Sequence, residues 1–337
     1  MTDTDVDLAL LPGLLSSIPS SRDRRLVQEL LRTTAGLAHD QPETLNLKIA
    51  AAALAEMREA FEMFQPYQGI PKVAIFGSAR VHTDDALYAQ ARQVAAELAA
   101  EGWMVITGAG PGIMQAAMEG AGRERSIGVA IRLPNEQQAN PVIAGDHKYV
   151  SMKYFFTRKL MLIKEARAFV CLPGGFGTLD ETFELLTLTQ TGKGTPVPIV
   201  FLETPGDTYW RSVDEFIRAQ LVPRHLVNPS DVDLYLVTDS CRRATEEITG
   251  FYANYDSLRY VGDRLVLRIR RAPDDAQLAE LNRRFAHLCA SGEIERSAPL
   301  SIEQREGDAL DLHRVVFRFA KHSFGDLRLM INELNTY

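Results

Sequence analysis

The chain has 337 residues, of which 46% are hydrophobic and 24% charged, and its formal net charge is −7. This composition excludes a disordered or collagen-like chain, and a general nucleic-acid binder would be basic, so we expect no nucleic-acid polymer as a partner. Apolar runs such as Val197–Leu202 are too short to cross a bilayer, and three aspartates among the first eight residues disfavour a secretory signal, so we expect a cytoplasmic protein without a membrane partner.

Residues 1–70 are predicted to form a helical N-terminal extension. Leucines recur at helical spacing between residues 26 and 31, and the segment 45–64 is rich in helix-forming residues without an interior glycine or proline. Pro66 and Pro71 then end the helical stretch.

Residues 71–253 alternate between short apolar segments and amphipathic ones. This alternation predicts a doubly wound, Rossmann-like α/β domain, in which helices cover both faces of a parallel sheet. Strands are expected at 73–76, 104–107, 127–131, 148–151, 168–172, 197–202 and 234–237. Helices are expected at 85–100, from the glycine turn after the second strand to about 120, and at 154–165, 179–189, 209–220 and 241–252.

Residues 254–337 are predicted to be a small α+β appendage. Charged and apolar residues alternate over 264–269 and 314–319, as in antiparallel strands with one solvated face, and 275–288 is predicted to be a helix. Its basic residues are interpreted as that wet face or, alternatively, as an anionic effector site or a subunit contact. They are Arg264, Arg268, Arg270 and Arg271.

The carboxyl ends of the predicted parallel strands are the expected place for a ligand. Two strand exits there are rich in glycine, at 108–112 and 173–178, and a third is Gly77–Arg80. The helix that follows the fourth strand carries Arg158 and Lys159 in its first turns.

The segment Pro173–Thr178 is the strongest ligand-binding motif. Its three glycines and a threonine at a helix start let backbone N–H groups approach an anion, and the helix N-terminus adds partial positive charge. Alone, such a cluster is more often an ordinary strand-to-helix turn. The second glycine exit at the same edge shifts the interpretation toward a nucleotide-sized site.

Several nucleotide chemistries are disfavoured. Gly108–Gly112 is spaced G-x-G-x-G and the third strand ends in Arg132 rather than an acid, which argues against a redox dinucleotide. The segment 192–195 lacks the upstream glycine and preceding strand of a P-loop. Three cysteines without a CxxC pair and scattered histidines argue against a metal site. We therefore expect no cofactor and no metal.

A carboxylate and a guanidinium complete the predicted site. Glu181 lies one helical turn after the glycine segment, and Arg158 approaches from the neighbouring helix. A phosphate held on Gly174–Thr178 would place a ribose near Glu181, where a carboxylate can stabilise an oxocarbenium-like state. Taken singly, Glu181 is more often an acid that favours a helix start, and Arg158 is more often a solvated or salt-bridged surface residue.

The segment Met152–Glu184, with Arg158-Lys159 and PGGFGTLDE, resembles the Lonely Guy family of cytokinin-activating phosphoribohydrolases, often mislabelled lysine decarboxylases. FGSAR (76–80) and TGAGPGIMQAAMEGA (107–121) match its first two strand exits. The resemblance implies a nucleotide-binding α/β fold, a homodimer or larger assembly of dimers, and hydrolysis of a nucleoside 5′-monophosphate, such as AMP or an N6-modified cytokinin nucleotide, to base and ribose 5-phosphate. It makes Arg158 and Glu181 the catalytic pair. The predicted substrate-binding residues are Ser78, Gly108, Gly110, Gly112, Lys159, Gly174, Gly175, Gly177 and Thr178.

Some features separate this chain from the short members of that family. Ala109 stands where the family usually has glycine, and we expect its methyl group to narrow the pocket. The flanking segments favour general nucleotide salvage as a competing function, since larger bacterial nucleosidases with this core also carry flanking domains. Base contacts are expected from the loop 133–147.

Two further hypotheses for the function remain. The chain could be a non-catalytic carrier of a nucleotide or of the molybdenum cofactor, or the added segments could form a protein-interaction platform.

Overall fold

In a computed structural model, residues 11–132 and 139–337 are described. The chain divides into two compact units, Met1–Arg58 and Glu59–Tyr337. Within the described ranges, no helix combines the length and the apolar character needed to cross a membrane.

The N-terminal segment is helical, as predicted, from residue 11 onward; the first ten residues of the predicted extension lie outside the described part. The Ser20 hydroxyl caps the second helix by accepting a hydrogen bond from the Asp23 N–H at 3.2 Å. A 3₁₀ turn at Gln65–Tyr67, which contains Pro66, follows the third helix and ends it. The helices are α1 (Leu11–Ser17), α2 (Ser21–His39) and α3 (Thr44–Phe64).

The centre of the second unit is a parallel sheet, which confirms the predicted fold class. Its strands, in chain order, are β1 (Lys72–Phe76), β2 (Met104–Thr107), β3 (Ser126–Ile131), β4 (Tyr149–Met152), β5 (Ala168–Cys171), β6 (Ile199–Leu202) and β7 (Leu236–Thr238). Among the described residues the sheet has seven strands in the order β4-β3-β2-β1-β5-β6-β7. The chain therefore reverses its winding direction between β1 and β5, and ligands in such sheets bind at that switch point.

Helices cover both faces of this sheet. On one face, Val73 and Val105 pack in a single apolar cluster with Leu98, Ile113 and Ile248 from three helices. The alternate residues of the same strands are also buried, as expected for a parallel sheet between two helical layers. The helices are α4 (Ala86–Ala100), α5 (Ile113–Ala121), α6 (Phe155–Glu165), α7 (Phe176–Gln190), α8 (Tyr209–Phe216) and α9 (Cys241–Gly250). The predicted helix 209–220 is shorter than expected, because residues 217–221 form a π-helical turn.

The C-terminal segment is an α+β structure in the same compact unit. Its described elements are β8 (Tyr255–Val261), β9 (Arg264–Ile269), α10 (Asp275–Phe285), β10 (Cys289–Ser297), α11 (Ser301–Glu306), β11 (His313–Phe319) and α12 (Phe324–Leu334). The four strands form an antiparallel sheet in the order β10-β11-β9-β8. The domain boundaries at 70 and 253 stay predictions, although the second coincides with the change from parallel to antiparallel pairing.

The sequence did not reveal β8 and β10. A two-residue turn that begins at Gly262, with φ of 63°, joins β8 to β9. β10 lacks a regular alternation of apolar and polar residues, because its pairing with β11 shifts register and Gly292 has φ of 72°.

The expectation of a wet face on β9 is wrong. Only its first residue, Arg264, is exposed, and the other five are buried. Arg268 is buried because its guanidinium contacts the Glu303 carboxylate of α11 at 2.7 Å and that of Asp308 at 2.5 Å. Arg268 is thus committed to partners within the appendage, which removes it from the suggested effector surface.

Candidate functional site

A cleft opens at the switch point of the parallel sheet. The loops that leave β1 and β5 meet there, and the Ser78 N–H donates a hydrogen bond to the Pro173 carbonyl at 3.2 Å. The cleft has a volume of about 940 Å³ and both loops line it. Its size suits a nucleotide-sized ligand.

The floor of the cleft is the glycine segment before α7. The helix begins at Phe176 with Gly175 as its N-terminal cap, and the first N–H groups of an α-helix have no partner within the helix. A Cβ placed on Gly175 or Gly177 would meet no atom within 4 Å, so the space around them is open. Open backbone at a helix start can accept an anion.

Arg158 and Glu181 meet beside this floor. Arg158 on α6 directs its Nη1 to Glu181 Oε1 on α7 at 2.8 Å, and both residues line the cleft. The Arg158 Nε donates to the carbonyl of Val129 at 3.1 Å, which fixes the plane of the guanidinium. A Cβ at Gly108 would lie 2.5 Å from Arg158 Nη2, so this exit needs glycine for the arginine to pass.

The electrostatics of the pair depend on burial. Removal of the Glu181 carboxyl from solvent raises its pKa, and the charge and hydrogen bond of Arg158 offset only part of that rise. Glu181 therefore holds a proton more readily than an exposed glutamate. A carboxylate with a raised pKa beside a guanidinium can stabilise developing positive charge and exchange a proton with bound water.

The structure brings most of the predicted site residues together. Gly110 and Gly112 are absent from the described lining, as is Lys159, whose Nζ contacts Asp180 at 2.7 Å and Glu184 at 2.8 Å. The roles of all of these residues stay predictions. Those that line the cleft are Ser78, Gly108, Arg158, Gly174, Gly175, Gly177, Thr178 and Glu181.

Ala109 does not narrow the cleft, contrary to the expectation from its methyl group. Its backbone has φ of 59°, and the side chain is 1% exposed, packed with Met118, Ala130 and Ile143. The left-handed backbone turns the methyl group into the interior behind the glycine exit. Gly112, with φ of 66°, would clash through a Cβ with Ser78 O at 2.4 Å, so it packs two exit loops together.

The predicted base-contacting loop 133–147 is only partly described, because residues 133–138 lie outside the described part. In the remainder, the Asn140 N–H donates to the Ala109 carbonyl at 2.9 Å and its side-chain amide to that of Gly110 at 3.2 Å. These two hydrogen bonds connect this part of the loop to the backbone of the glycine-rich segment that follows β2.

Among the residues that line the cleft, sequence reasoning did not assign Tyr209 or Met114 to the site. Tyr209 is the first residue of α8, and its hydroxyl donates to the Gly174 carbonyl at 2.8 Å. The sequence could have indicated Tyr209, because the segments that leave parallel strands reach the same edge of the sheet and Tyr209 lies in the segment after β6. The β6 exit lacks the glycine run that drew attention to the others.

The remaining reactive side chains of the described residues are candidate metal ligands and candidate nucleophiles. In the described ranges, no group of three or more histidine, cysteine, aspartate or glutamate side chains is arranged to hold a metal. Cys171 is fully buried, and this burial raises the pKa of its thiol to about 12. It is a packed core residue, as predicted.

Residues 112–248 match a family model described as "Possible lysine decarboxylase". A probable cytokinin riboside 5′-monophosphate phosphoribohydrolase of Arabidopsis thaliana is 29% identical over 120 residues, which are 34% of this chain and 58% of that relative. A second, from Oryza sativa subsp. japonica, is 30% identical over 150 residues, 42% of this chain and 60% of the relative. The match thus spans little more than half the length of these relatives.

Solved structures give weaker similarity. The molybdenum cofactor carrier protein of Chlamydomonas reinhardtii is 18% identical with a TM-score of 0.38, covering 53% of this chain and 96% of that one. DNA processing protein A of Helicobacter pylori is 14% identical with a TM-score of 0.37, covering 53% and 80%. Scores this low support no conclusion about function.

The family match covers the Arg158–Glu181 pair and the PGGFGTLDE segment, and it begins at the end of the glycine-rich exit of β2. Through this α/β part, the chain is similar to the Lonely Guy phosphoribohydrolases, as its sequence motifs predict.

Proposed function

We propose that this protein hydrolyses the N-glycosidic bond of a nucleoside 5′-monophosphate, releasing the free base and ribose 5-phosphate. The observation that carries the proposal is the Arg158–Glu181 pair, with 2.8 Å between Nη1 and Oε1, at the rim of an open helix N-terminus. The names of the similar phosphoribohydrolases support the same reaction class.

The proposed roles follow from charge and position. The 5′-phosphate binds the N–H groups at the start of α7, beside Gly175, Gly177 and Thr178. That anchor directs the ribose toward Glu181, one turn further along the helix. Arg158 holds the Glu181 carboxylate in place and donates to the phosphate or to ribose hydroxyls.

The bond between ribose C1′ and the base nitrogen breaks, and the base leaves with the bonding electrons. The Glu181 carboxylate faces the oxocarbenium-like sugar and stabilises its positive charge. Water adds to C1′ and gives up a proton that ends on the base. The raised pKa of Glu181 suits it to relay this proton.

The test is a substrate panel with product identification. AMP, N6-isopentenyladenosine 5′-monophosphate, CMP and UMP are incubated with the protein, and base and ribose 5-phosphate are quantified by chromatography. We expect both products from a monophosphate and slower cleavage of adenosine, which lacks the phosphate. Equal rates with adenosine would contradict phosphate anchoring.

The same panel separates the competing hypotheses. Preference for the N6-modified nucleotide supports cytokinin activation, and broad cleavage supports general nucleotide salvage. Tight binding of a nucleotide or pterin without release of any base would instead support a carrier and overturn the hydrolase proposal.

We also propose that the chain forms a homodimer or a larger assembly of dimers. Large apolar side chains on α6 and α7 are exposed, including Phe155, Phe156, Leu160 and Phe183, and exposed apolar surface of this kind marks association sites. Light scattering coupled to size exclusion should give at least twice the chain mass, and Leu160→Asp should lower it. A monomeric wild type at micromolar concentration contradicts the proposal.

A further inference from the structure

Tyr209 links the cleft wall to the glycine floor. Its hydroxyl donates a hydrogen bond to the carbonyl oxygen of Gly174 at 2.8 Å, and both residues line the cleft. The bond joins two strand exits, because Tyr209 follows β6 and Gly174 follows β5.

The position of Tyr209 is fixed by its neighbours. Trp210 is fully buried and its ring stacks on Phe201, with 4.4 Å between centroids. The Trp210 N–H donates to Glu203 Oε2 at 2.7 Å, and the buried Glu203 carboxylate also contacts Arg211 Nε at 3.1 Å. The first turn of α8 is therefore anchored in the core, and Tyr209 projects from a rigid support.

This hydrogen bond controls a peptide group of the floor. A peptide is planar and trans, so the C=O of Gly174 and the N–H of Gly175 point in opposite directions. Fixing the Gly174 oxygen on Tyr209 therefore fixes the direction of the Gly175 N–H. Without that contact, consecutive glycines have wide conformational freedom that an anion would have to restrict on binding.

The phenol suits this task. Burial raises its pKa above the ordinary value of 10.0, so the hydroxyl keeps its proton and remains a donor at neutral pH. Tyr209 carries no charge at that pH, so its contribution is geometric.

We propose that Tyr209 is a positioning residue that pre-organises the Gly174–Gly175 peptide for the phosphate of the substrate. This inference rests on the proposed function, since it assigns a phosphate to the glycine floor. It acts on binding rather than on the reacting bond.

The test compares Tyr209→Phe with Tyr235→Phe. Tyr235 is the matched control, because its hydroxyl donates to Asp214 at 2.7 Å and it is absent from the described lining of this cleft. For Tyr209→Phe we expect KM for AMP and the dissociation constant of ribose 5-phosphate to rise together by about fivefold, the effect of losing one hydrogen bond. The kcat should stay within about twofold of wild type.

The outcomes separate the two proposals. Ribose 5-phosphate binding is measured by calorimetry and needs no turnover, so a wild type that binds it without cleaving nucleotides overturns the hydrolase proposal alone. Unchanged KM and ribose 5-phosphate affinity in Tyr209→Phe overturn the role of Tyr209 alone. A fall in kcat without a change in KM or affinity also contradicts it. Equal losses in Tyr235→Phe would reveal a general structural effect and overturn the assignment.

Discussion

Two regions of this molecule contain a buried arginine–glutamate contact, and they differ in what surrounds the carboxylate. In the cleft, Glu181 accepts from one arginine, Arg158, at 2.8 Å. In the appendage, Glu303 lies between Arg268 and Arg314, with contacts of 2.7 and 3.4 Å. The first carboxylate faces open space, and the second is enclosed.

The enclosed carboxylate is saturated with donors. Glu303 Oε2 also accepts the Leu300 N–H at 3.0 Å, and both Glu303 and Arg314 have side chains with 0% exposure. Burial acts to raise the pKa of Glu303, but the hydrogen bonds from Arg268 and Leu300 and the charges of the two arginines hold it below the ordinary value. This cluster ties α11 to β9 and β11.

The carboxylate of the cleft has the opposite balance. For Glu181, burial outweighs the single arginine, and its pKa lies above the ordinary value. An incompletely paired carboxylate beside a cavity is a candidate for chemistry, whereas a carboxylate saturated with donors is the type expected in a structural cluster. Variants at both sites can break or sharpen this distinction.

The largest expected effect is on activity. Glu181→Gln should lower kcat/KM for the preferred monophosphate roughly 10³-fold, because an amide can neither stabilise the sugar cation as an anion nor relay a proton. Steady-state kinetics measure this loss. The control is Glu184→Gln on the same helix, whose carboxylate contacts Lys159 outside the cleft and which should retain most activity. Wild-type turnover in Glu181→Gln would contradict the assignment.

The matching change in the appendage should affect stability instead. Glu303→Gln leaves the buried Arg268 and Arg314 without their shared anion and should lower the free energy of unfolding by about 3 kcal/mol. Chemical denaturation with the folded fraction followed by circular dichroism measures the change. If Glu303→Gln kept its stability but lost nucleotide cleavage, the assignment of Glu303 to structure and of Glu181 to chemistry would be contradicted.

A smaller loss of activity is expected from crowding the guanidinium. Gly108→Ala introduces a methyl group 2.5 Å from Arg158 Nη2, so the arginine must shift. We expect kcat/KM to fall about 10²-fold, as for other displacements of catalytic groups. Gly250→Ala, where a Cβ meets nothing within 4 Å, is the control and should be neutral. Equal activities would place Arg158 outside the reacting geometry.

The smallest effects are shifts with pH. Because the pKa of Glu181 is raised above 4.5, kcat/KM should decline with falling pH already above pH 4.5, as the carboxylate takes up a proton. The lowered pKa of Glu303 has the opposite sign: its stabilisation is present above pH 4.5 and is lost as the pH falls through the lower folded-state value. A kcat/KM that stays constant down to pH 4.5 would contradict the expectation for Glu181. The expectation for Glu303 would be contradicted if the stability difference between wild type and Glu303→Gln became larger in acid.

The sequence predicts the α/β part well because its apolar segments are short, continuous and separated by glycine turns. It also predicts that Arg158 and Glu181 approach each other, since parallel strands bring their exits to one edge. In the appendage it predicts β9, α10 and β11 but misses β8 and β10, and the register of β10 is irregular. It also misses the burial of Arg268, whose partner is distant in sequence.

Within the site, sequence reasoning stops at side-chain direction. The methyl group of Ala109 points inward only because of its φ of 59°, which composition does not reveal. Tyr209 reaches Gly174 from another strand exit, and no motif marks that contact. Such contacts depend on packing between elements rather than on local pattern.

The most direct test of the central claim is a crystal structure of Glu181→Gln with AMP bound. The account predicts the phosphate on the N–H groups of residues 174–178 and the ribose C1′ beside residue 181, with Arg158 on the same side. A phosphate bound elsewhere, or side chains 158 and 181 pointing away from the sugar, would contradict it.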